Sequence, residues 1–197
     1  MNIPAFDQIR DLMVHRRTVK FAAMNGQPIA DDDIEALLEL ANWAPNHGNT
    51  EPWRFWVYTG EGLVRFCADH AQMYWEHTPE ESRVQATYER LGEFHKQATC
   101  LIIAAMRRGE NAKIPVMEEL AASAAAVQNI LLGAAALGIG AFWNTGGMAL
   151  KQPMKDYLGL REEDQVLGLI YMGKTETPLA TGARKTPASA KVVWSKE

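Results

Sequence analysis

A long run without a charged side chain, from Leu120 to Leu150, limits most strongly what this chain can fold into. A segment of this length could cross a bilayer. Its first part, however, is mostly alanine interrupted by serine, glutamine and asparagine, and glycines break its second part. The pattern therefore predicts a fully buried helix of a soluble protein, from Pro115 to about Leu137. Small alanine side chains would let another backbone approach closely, which suits the centre of a domain or a subunit interface.

Helical spacing and apolar runs indicate the order of the other elements. A first helix is predicted over about residues 4–15, and an acidic triplet at residues 31–33 opens a second one. Strands are predicted at residues 53–58, 99–106, 141–144 and 165–173, with Val192–Trp194 as an added edge strand. A weakly apolar, amphipathic stretch from about 79 to 97 predicts a surface helix or a lid. The alternation predicts one α/β or α+β domain over residues 1–197.

Composition excludes several classes of partner. The formal net charge of −4 and the lack of a long basic block argue against nucleic acid and against a membrane surface as partners. Cys67 and Cys100 show no disulfide or metal-binding spacing, so we expect reduced thiols, one on a helix and one in a core strand. The first residues lack the basic start and the apolar region of a secretory signal, so the expected location is cytoplasmic.

The segment from Ala44 to Trp53 cannot continue the helix before it, because it contains two prolines, a glycine and two asparagines. It is predicted to form a corner between a helix and a strand. Polar side chains, including His47 and Glu51, stand there among aromatic rings, which is typical of a site for a flat heterocycle that forms hydrogen bonds. An ordinary polar surface loop would have the same composition, and this segment alone does not separate the two interpretations.

Arg16, Arg17 and Thr18 place two guanidinium groups and a hydroxyl at a bend of the chain. Guanidinium forks match the oxygens of a phosphate, so the triplet is a candidate phosphate cradle, and Lys20 could reach another part of the same ligand. Paired arginines at the end of a helix are also common as solvated caps. The triplet therefore needs a second signal.

Other catalytic and binding motifs fail on spacing or context. The glycines at 138 and 140 follow a helix and lack the third glycine of a dinucleotide-binding turn, and no P-loop occurs. The five histidines show no zinc-binding spacing, and no serine lies in the context of a hydrolase nucleophile, so we expect no metal site and no serine nucleophile. His70 and His77 are expected on a solvated helix face.

Three segments together resemble one known family. They are Arg16 to Phe21, Ala44 to Trp53, and the long helix from Asn129 to Gly140 followed by Phe142 to Gly146. In this order they are similar to the nitroreductase family of FMN-dependent NAD(P)H oxidoreductases, and most to its small bacterial branch, whose corner carries a histidine and ends in Pro-Trp. The resemblance covers nearly the whole chain.

The resemblance implies an α+β fold with a central, mostly antiparallel sheet flanked by helices, and a homodimer with two FMN sites made from both subunits. It implies that hydride passes from NADPH or NADH through flavin N5 to a nitroaromatic, a quinone or a similar small-molecule acceptor. Since the cofactor supplies the redox chemistry, no catalytic side chain is expected. Both substrates would use the same ring face in turn, which predicts ping-pong kinetics.

The resemblance also implies roles for particular residues around the cofactor. Arg16, Arg17 and Thr18 would hold the flavin phosphate and ribityl chain, with Arg184 as a late basic residue at the phosphate. Lys20 near flavin N1 and the C2 carbonyl would stabilise the negative charge of the reduced ring.

A second set of residues would contact the flavin ring itself. His47 and Glu51 would lie against the flavin, from the same subunit as the arginines, and Glu51 stands where an amide is more usual. Trp143, Asn144 and Thr145 would approach from the partner subunit. The end of the long helix is expected near the nicotinamide nucleotide.

Three alternatives to a nitro or quinone reductase stay open at the level of sequence. The family also contains enzymes that oxidise bound substrates, dehalogenate, or consume the flavin. A non-catalytic protein that binds or stores FMN would carry the same motifs. A plain structural protein would leave the ordered motifs unexplained.

Overall fold

Four antiparallel strands form one sheet in the computed structural model, which describes residues 4–111, 113–176 and 182–196. The strands are β1 Trp53–Thr59, β2 Cys100–Met106, β3 Ile139–Asn144 and β4 Gln165–Lys174. Their order across the sheet is β1-β2-β4-β3. The register pairs Trp53 with Met106 and Ile139 with Lys174, and β4 carries one extra residue, Leu167, opposite the step from Ala104 to Ala105 of β2.

Six α-helices cover the sheet. They are α1 Phe6–His15, α2 Asp31–Asn42, α3 Gly60–Glu76, α4 Gln85–Glu93, α5 Val116–Ala136 and α6 Gln152–Tyr157. Short 3₁₀ turns lie at Phe21–Ala23, His47–Asn49, Glu80–Ser82, Phe94–Lys96 and Ala188–Lys191. The observed elements confirm the predicted α+β class with an antiparallel sheet flanked by helices.

The central strand β2 is buried on both faces, as its uninterrupted apolar sequence predicts. Ile102 and Ala104 pack with the residues of α2 and α5, whereas Leu101 and Ile103 pack with those of α3 and α4. Because side chains alternate along a strand, one strand serves both layers of the core. Cys67 and Cys100, both free, are buried in these layers.

The alanine-rich helix α5 is buried on one side only, so the prediction of full burial is wrong. By length and composition it could cross a membrane, yet half of its most apolar stretch is buried within the fold. Its buried stripe packs on α2, where a side chain at Gly133 would approach Leu37 and Leu40 to within 2.7 Å. Ala121 and Gln128 remain exposed on the opposite side.

Two other boundaries differ from the predictions. The stretch from 79 to 97 forms a short α4 between two 3₁₀ turns instead of one helix, and α4 buries only Leu91. The segment Val192–Trp194 forms no strand, and Val193 and Trp194 are exposed at 96% and 77%. Apolar composition suggests an edge strand there, but no strand among the described residues pairs with this backbone, and the Lys196 ammonium lies over the Trp194 ring at 5.4 Å from its centroid.

Candidate functional site

The bend after α1 lies beside β3. Helix α1 ends at His15, and Thr18 then forms an isolated parallel bridge with Ala141 of β3. The Val19 amide donates a hydrogen bond to the Ala141 carbonyl at 3.0 Å. A side chain at Gly140 would come within 2.8 Å of Val19, so the glycine permits this close approach. The bend is thereby fixed against the edge strand of the sheet.

Arg16 and Arg17 line a cavity of about 220 Å³ between this bend, the end of α5 and the start of β3. The Nε atom of Arg17 is buried and has no hydrogen-bond partner among the described residues. Gly182 packs directly on the Arg17 guanidinium, since a Cβ there would lie 1.7 Å from Nη2. Buried donors in proteins are normally satisfied, so this guanidinium indicates an anionic ligand.

Arg184 follows Gly182 by two residues, which puts its Cα within about 7 Å of the Gly182 Cα. Its side chain is exposed, and one guanidinium nitrogen donates to the Ala183 carbonyl at 3.5 Å. Arg184, the expected late basic residue, therefore lies close to Gly182, which packs on Arg17 beside the first cavity.

A second cavity, of about 290 Å³, opens on the other side of the same bend. Its aromatic part is built by Phe21, which stacks on Phe94 at 3.9 Å between ring centroids and meets Phe142 edge-on at 5.5 Å. Lys20 and Asn144 line it too. An apolar floor with polar groups at the rim is what a flat ring with hydrogen-bonding edges requires.

Sequence reasoning missed one cation of this second cavity. Arg90 of α4 lines it together with Lys20, and no ion pair of either side chain occurs in the described part of the chain. The weak apolar face of α4 indicated a lid, but the spacing of its residues does not reveal which side chain faces a cavity. Only the packing of α4 against α3 does so.

The turn after β3 rests on a buried histidine. The Oδ1 atom of Asn144 accepts a hydrogen bond from the Gly146 amide at 2.9 Å, and Nε2 of His70 accepts one from the Met148 amide at 3.0 Å. His70 is fully buried, and this burial lowers its pKa to about 4. The expectation that His70 is solvated is wrong, because the buried face of α3 is wide enough to include it, whereas His77 is exposed.

Trp143 and Thr145 differ from Asn144 in orientation. The Trp143 indole donates to the Leu167 carbonyl at 2.9 Å and packs on Gly168 of β4. Thr145 is exposed at the start of the turn. Of the three residues that sequence reasoning grouped here, Asn144 lines the second cavity.

The corner before β1 is strained. Asn49 and Glu51 have φ angles of 51° and 42°, and they are the non-glycine residues with positive φ among those described. Each such conformation costs roughly 1–3 kcal/mol and tends to occur at functional sites. The Asn46 side chain accepts a hydrogen bond from the Glu51 amide at 3.1 Å, and His47 Nδ1 lies 2.6 Å from Glu118 Oε2. Both His47 and Glu51 are exposed.

The two groups of expected site residues lie at opposite ends of α5. His47 contacts Glu118 in the first turn, whereas the arginine cavity is lined by Ala135 near the last turn. At 1.5 Å per residue, these two helix positions are about 25 Å apart. One protomer therefore does not bring His47 and the arginines to one ring.

The expected division of these residues between subunits stays a prediction, but the cavities of one protomer favour a different one. Asn144 and Lys20 line one cavity within a single protomer, and the backbone bridge from Thr18 to Ala141 links their segments. The order of the motifs in the sequence does not show that Lys20 and Asn144 share a cavity, because their proximity results from the position of β3 at the sheet edge.

Comparison with known proteins decides the family. A family model described as Nitroreductase family matches residues 13–174. The chain belongs to the nitroreductase family. It is 26% identical over 172 residues to the putative NAD(P)H nitroreductase YdjA of Escherichia coli K12, covering 87% of this chain and 90% of YdjA.

Solved structures of nitroreductases share the fold. A nitroreductase-like family protein from Bacillus cereus superposes with a TM-score of 0.83 at 24% identity, with both chains fully covered. A putative nitroreductase from Desulfovibrio desulfuricans, in complex with FMN, gives a TM-score of 0.64 at 23% identity, covering 100% of this chain and 99% of the other. NfnB from Mycobacterium smegmatis, in complex with NADPH, gives 0.72 at 17%, covering 96% and 99%. The family and fold predictions are confirmed.

The buried thiols of this nitroreductase are poor nucleophiles. Burial raises the pKa of Cys67 to about 11 and that of Cys100 to about 12, so both stay protonated at neutral pH. No group of three metal-ligating side chains occurs in residues 4–111, 113–176 and 182–196. The groups that the site does present are guanidinium, ammonium, amide and imidazole, which bind and orient ligands.

Proposed function

We propose that this nitroreductase is an FMN-dependent NAD(P)H oxidoreductase acting on nitroaromatics, quinones or similar acceptors. The observation that carries the proposal is the pair of cavities along residues 16–21. One holds a guanidinium whose buried Nε atom has no partner in the described part of the chain, and the other has an aromatic floor with a polar rim. The names of the relatives support it, since they describe NAD(P)H nitroreductases and complexes with FMN and with NADPH.

The residues of the bend fit FMN by their chemistry. Arg16, Arg17 and Thr18 would bind the phosphate through guanidinium forks and a hydroxyl. Bound FMN would supply hydride transfer at its N5 atom. Lys20 would stabilise negative charge at the ring edge, and Asn144 would orient that edge by a hydrogen bond. Arg184 would be a further phosphate contact, because Gly182, two residues before it, packs on Arg17.

A homodimer would complete each site. In an antiparallel arrangement of α5 about a two-fold axis, the start of one α5 meets the end of the other. His47 and Glu51 of a second copy would then face the arginines and Asn144 of the first. Trp143 and Thr145 would support the turn in the protomer that carries the arginines.

Exposed apolar side chains support this dimer. No residue of α1 is buried in the protomer, although the helix carries Phe6, Met13 and Val14. Other large apolar side chains that are more than 45% exposed include Trp43, Met117, Leu137 and Trp194. So much exposed apolar surface is typical of a protein interface.

For this site we propose ping-pong kinetics. Nicotinamide and acceptor would each need the ring face within the second cavity, whose volume of about 290 Å³ does not hold both. The first product would therefore leave before the acceptor binds.

The visible spectrum of the purified protein tests the proposal. Under anaerobic conditions we expect flavin bands, present after isolation or after incubation with FMN, that bleach when NADPH or NADH is added. An acceptor such as a benzoquinone should restore them. A protein that stays colourless after incubation with FMN would overturn the cofactor assignment, and bands that persist with both nucleotides would overturn the reductase assignment.

A further inference from the structure

We infer that Glu118 is a positioning residue that fixes the imidazole of His47 with its Nε2 atom free to contact the ligand. The two side chains come from different elements, and His47 Nδ1 lies 2.6 Å from Glu118 Oε2. This inference rests on the proposed function, because His47 acts only if a second copy supplies the rest of the site. The contact itself exists within one protomer.

Glu118 is held on a rigid support. It is the third residue of α5, and its amide donates to the Pro115 carbonyl at 3.0 Å. The next residue, Glu119, is buried and binds the Arg108 guanidinium and the Gly109 amide. These contacts anchor the start of the helix, so the backbone that carries the Glu118 side chain is fixed.

His47, by contrast, lies in a corner that does not fix its ring. Its side chain is 65% exposed, and Gly48 follows with a φ of 62°. A carboxylate accepting from Nδ1 selects the tautomer protonated at that nitrogen and limits ring rotation. The same device orients histidines in metal and hydrolase sites. An exposed ion pair adds little to stability, so orientation is what this contact provides.

The surroundings leave Nε2 as the imidazole atom available to a ligand. His47 and Glu118 line an open groove together with Pro45, Asn46 and alanines on the exposed side of α5. Of the neighbouring acidic groups, Glu119 is occupied by Arg108. Glu51, in the same corner, forms no ion pair among the described residues and is exposed. A second copy placed over this groove would meet Nε2.

Nitrogen NMR of the imidazole in the FMN-containing protein tests the contact directly. In the unchanged protein we expect His47 as the Nδ1-protonated tautomer at a pH where the ring is neutral. In Glu118→Ala, which removes the acceptor, the signals should move towards the Nε2-protonated form, and in Glu118→Asp they should move less. The matched control Glu35→Ala removes an exposed carboxylate from α2 and should leave the signals unchanged. Unchanged signals in Glu118→Ala would overturn the inference.

A double-variant cycle tests the consequence for activity. We expect Glu118→Ala to lower kcat/KM for the acceptor by about 10-fold, and His47→Ala to lower it at least as much. If Glu118 acts through His47, the double variant should lose no more than His47→Ala alone. Losses that multiply would overturn the inference. A yellow protein that NAD(P)H does not bleach would overturn the proposed function instead, and the NMR result would still decide the contact.

Discussion

Arg17 shows most clearly how a single side chain can indicate a ligand. Its Nε atom is buried without a partner among the described residues, and the chain packs Gly182 against the guanidinium. A guanidinium cannot give up its proton to avoid this cost. A bound anion such as the phosphate of FMN would supply an acceptor.

Replacing Arg17 by glutamine should weaken FMN binding by about 10- to 100-fold, because a charge-assisted hydrogen bond contributes about 1.5–3 kcal/mol. Titration of the FMN-free protein, followed by quenching of flavin fluorescence, measures the change. Arg65→Gln, an exposed position on α3, is the matched control and should bind FMN normally. Equal affinities in the two variants would contradict the phosphate assignment.

His70 should make the fold sensitive to acid. Its pKa of about 4 lies below the ordinary 6.5, so the unfolded chain binds its proton first as the pH falls. Above pH 6.5 His70 is neutral in both the folded and the unfolded chain, so its pKa shift does not lower the free energy of unfolding. Between 6.5 and 4 the free energy of unfolding should drop by up to about 3 kcal/mol.

Urea unfolding at several pH values measures this loss. The variant His70→Asn keeps an acceptor for the Met148 amide but does not titrate, so its stability should fall less over the same pH range. Parallel pH profiles for the two proteins would show that His70 is not the source.

At the scale of elements, the helices and strands that depend on residues next to them in the sequence could be predicted. The apolar run of β2, the acidic start of α2 and the glycine after α5 each produce their element through side chains next to it in sequence. The failures depend on distant packing. His70 is buried by the turn after β3, and no strand in the described ranges pairs with Val192–Trp194.

At the site, too, the residues that are adjacent in sequence could be grouped in advance, whereas those brought together by distant packing could not. The sequence alone brings Arg16, Arg17 and Thr18 together, because they are adjacent. It does not indicate that Asn144 lines a cavity beside the same bend. That position results from the register of β3 against the bend. Arg90 was missed for the same reason.

The turn after β3 should tolerate no side chain at its second glycine. Gly147 has a φ of 65°, and a Cβ there would lie 2.7 Å from His70 Nε2. Gly147→Ala should therefore cost about 2–4 kcal/mol, combining left-handed strain with overpacking. Gly159, with a φ of 63° and nothing within 4 Å, is the matched control and should cost about 1–2 kcal/mol. Chemical denaturation compares them, and equal losses would contradict the packing of His70 under the turn.

At the scale of the whole molecule, the exposed side of α5 is the surface on which a dimer would depend. Ala121 is exposed in the protomer, so Ala121→Glu should leave the monomer folded. In a dimer the new carboxylate would be buried without a partner, at a cost of several kcal/mol. Light scattering should then report monomers that have lost FMN. The control Ala86→Glu, on exposed α4, should remain dimeric, and a dimeric Ala121→Glu would place the interface elsewhere.

The distance of about 25 Å along α5 makes a sharper prediction about which chain supplies each residue. Arg17→Ala and His47→Ala should each keep at most about a tenth of the native activity as homodimers. If each site takes Arg17 from one copy and His47 from the other, a mixed dimer contains one fully native site and one doubly altered site. Unfolding and refolding an equal mixture should therefore restore roughly one quarter of the native activity. If both residues came from the same copy, every site in the mixture would carry one substitution, and activity would not return.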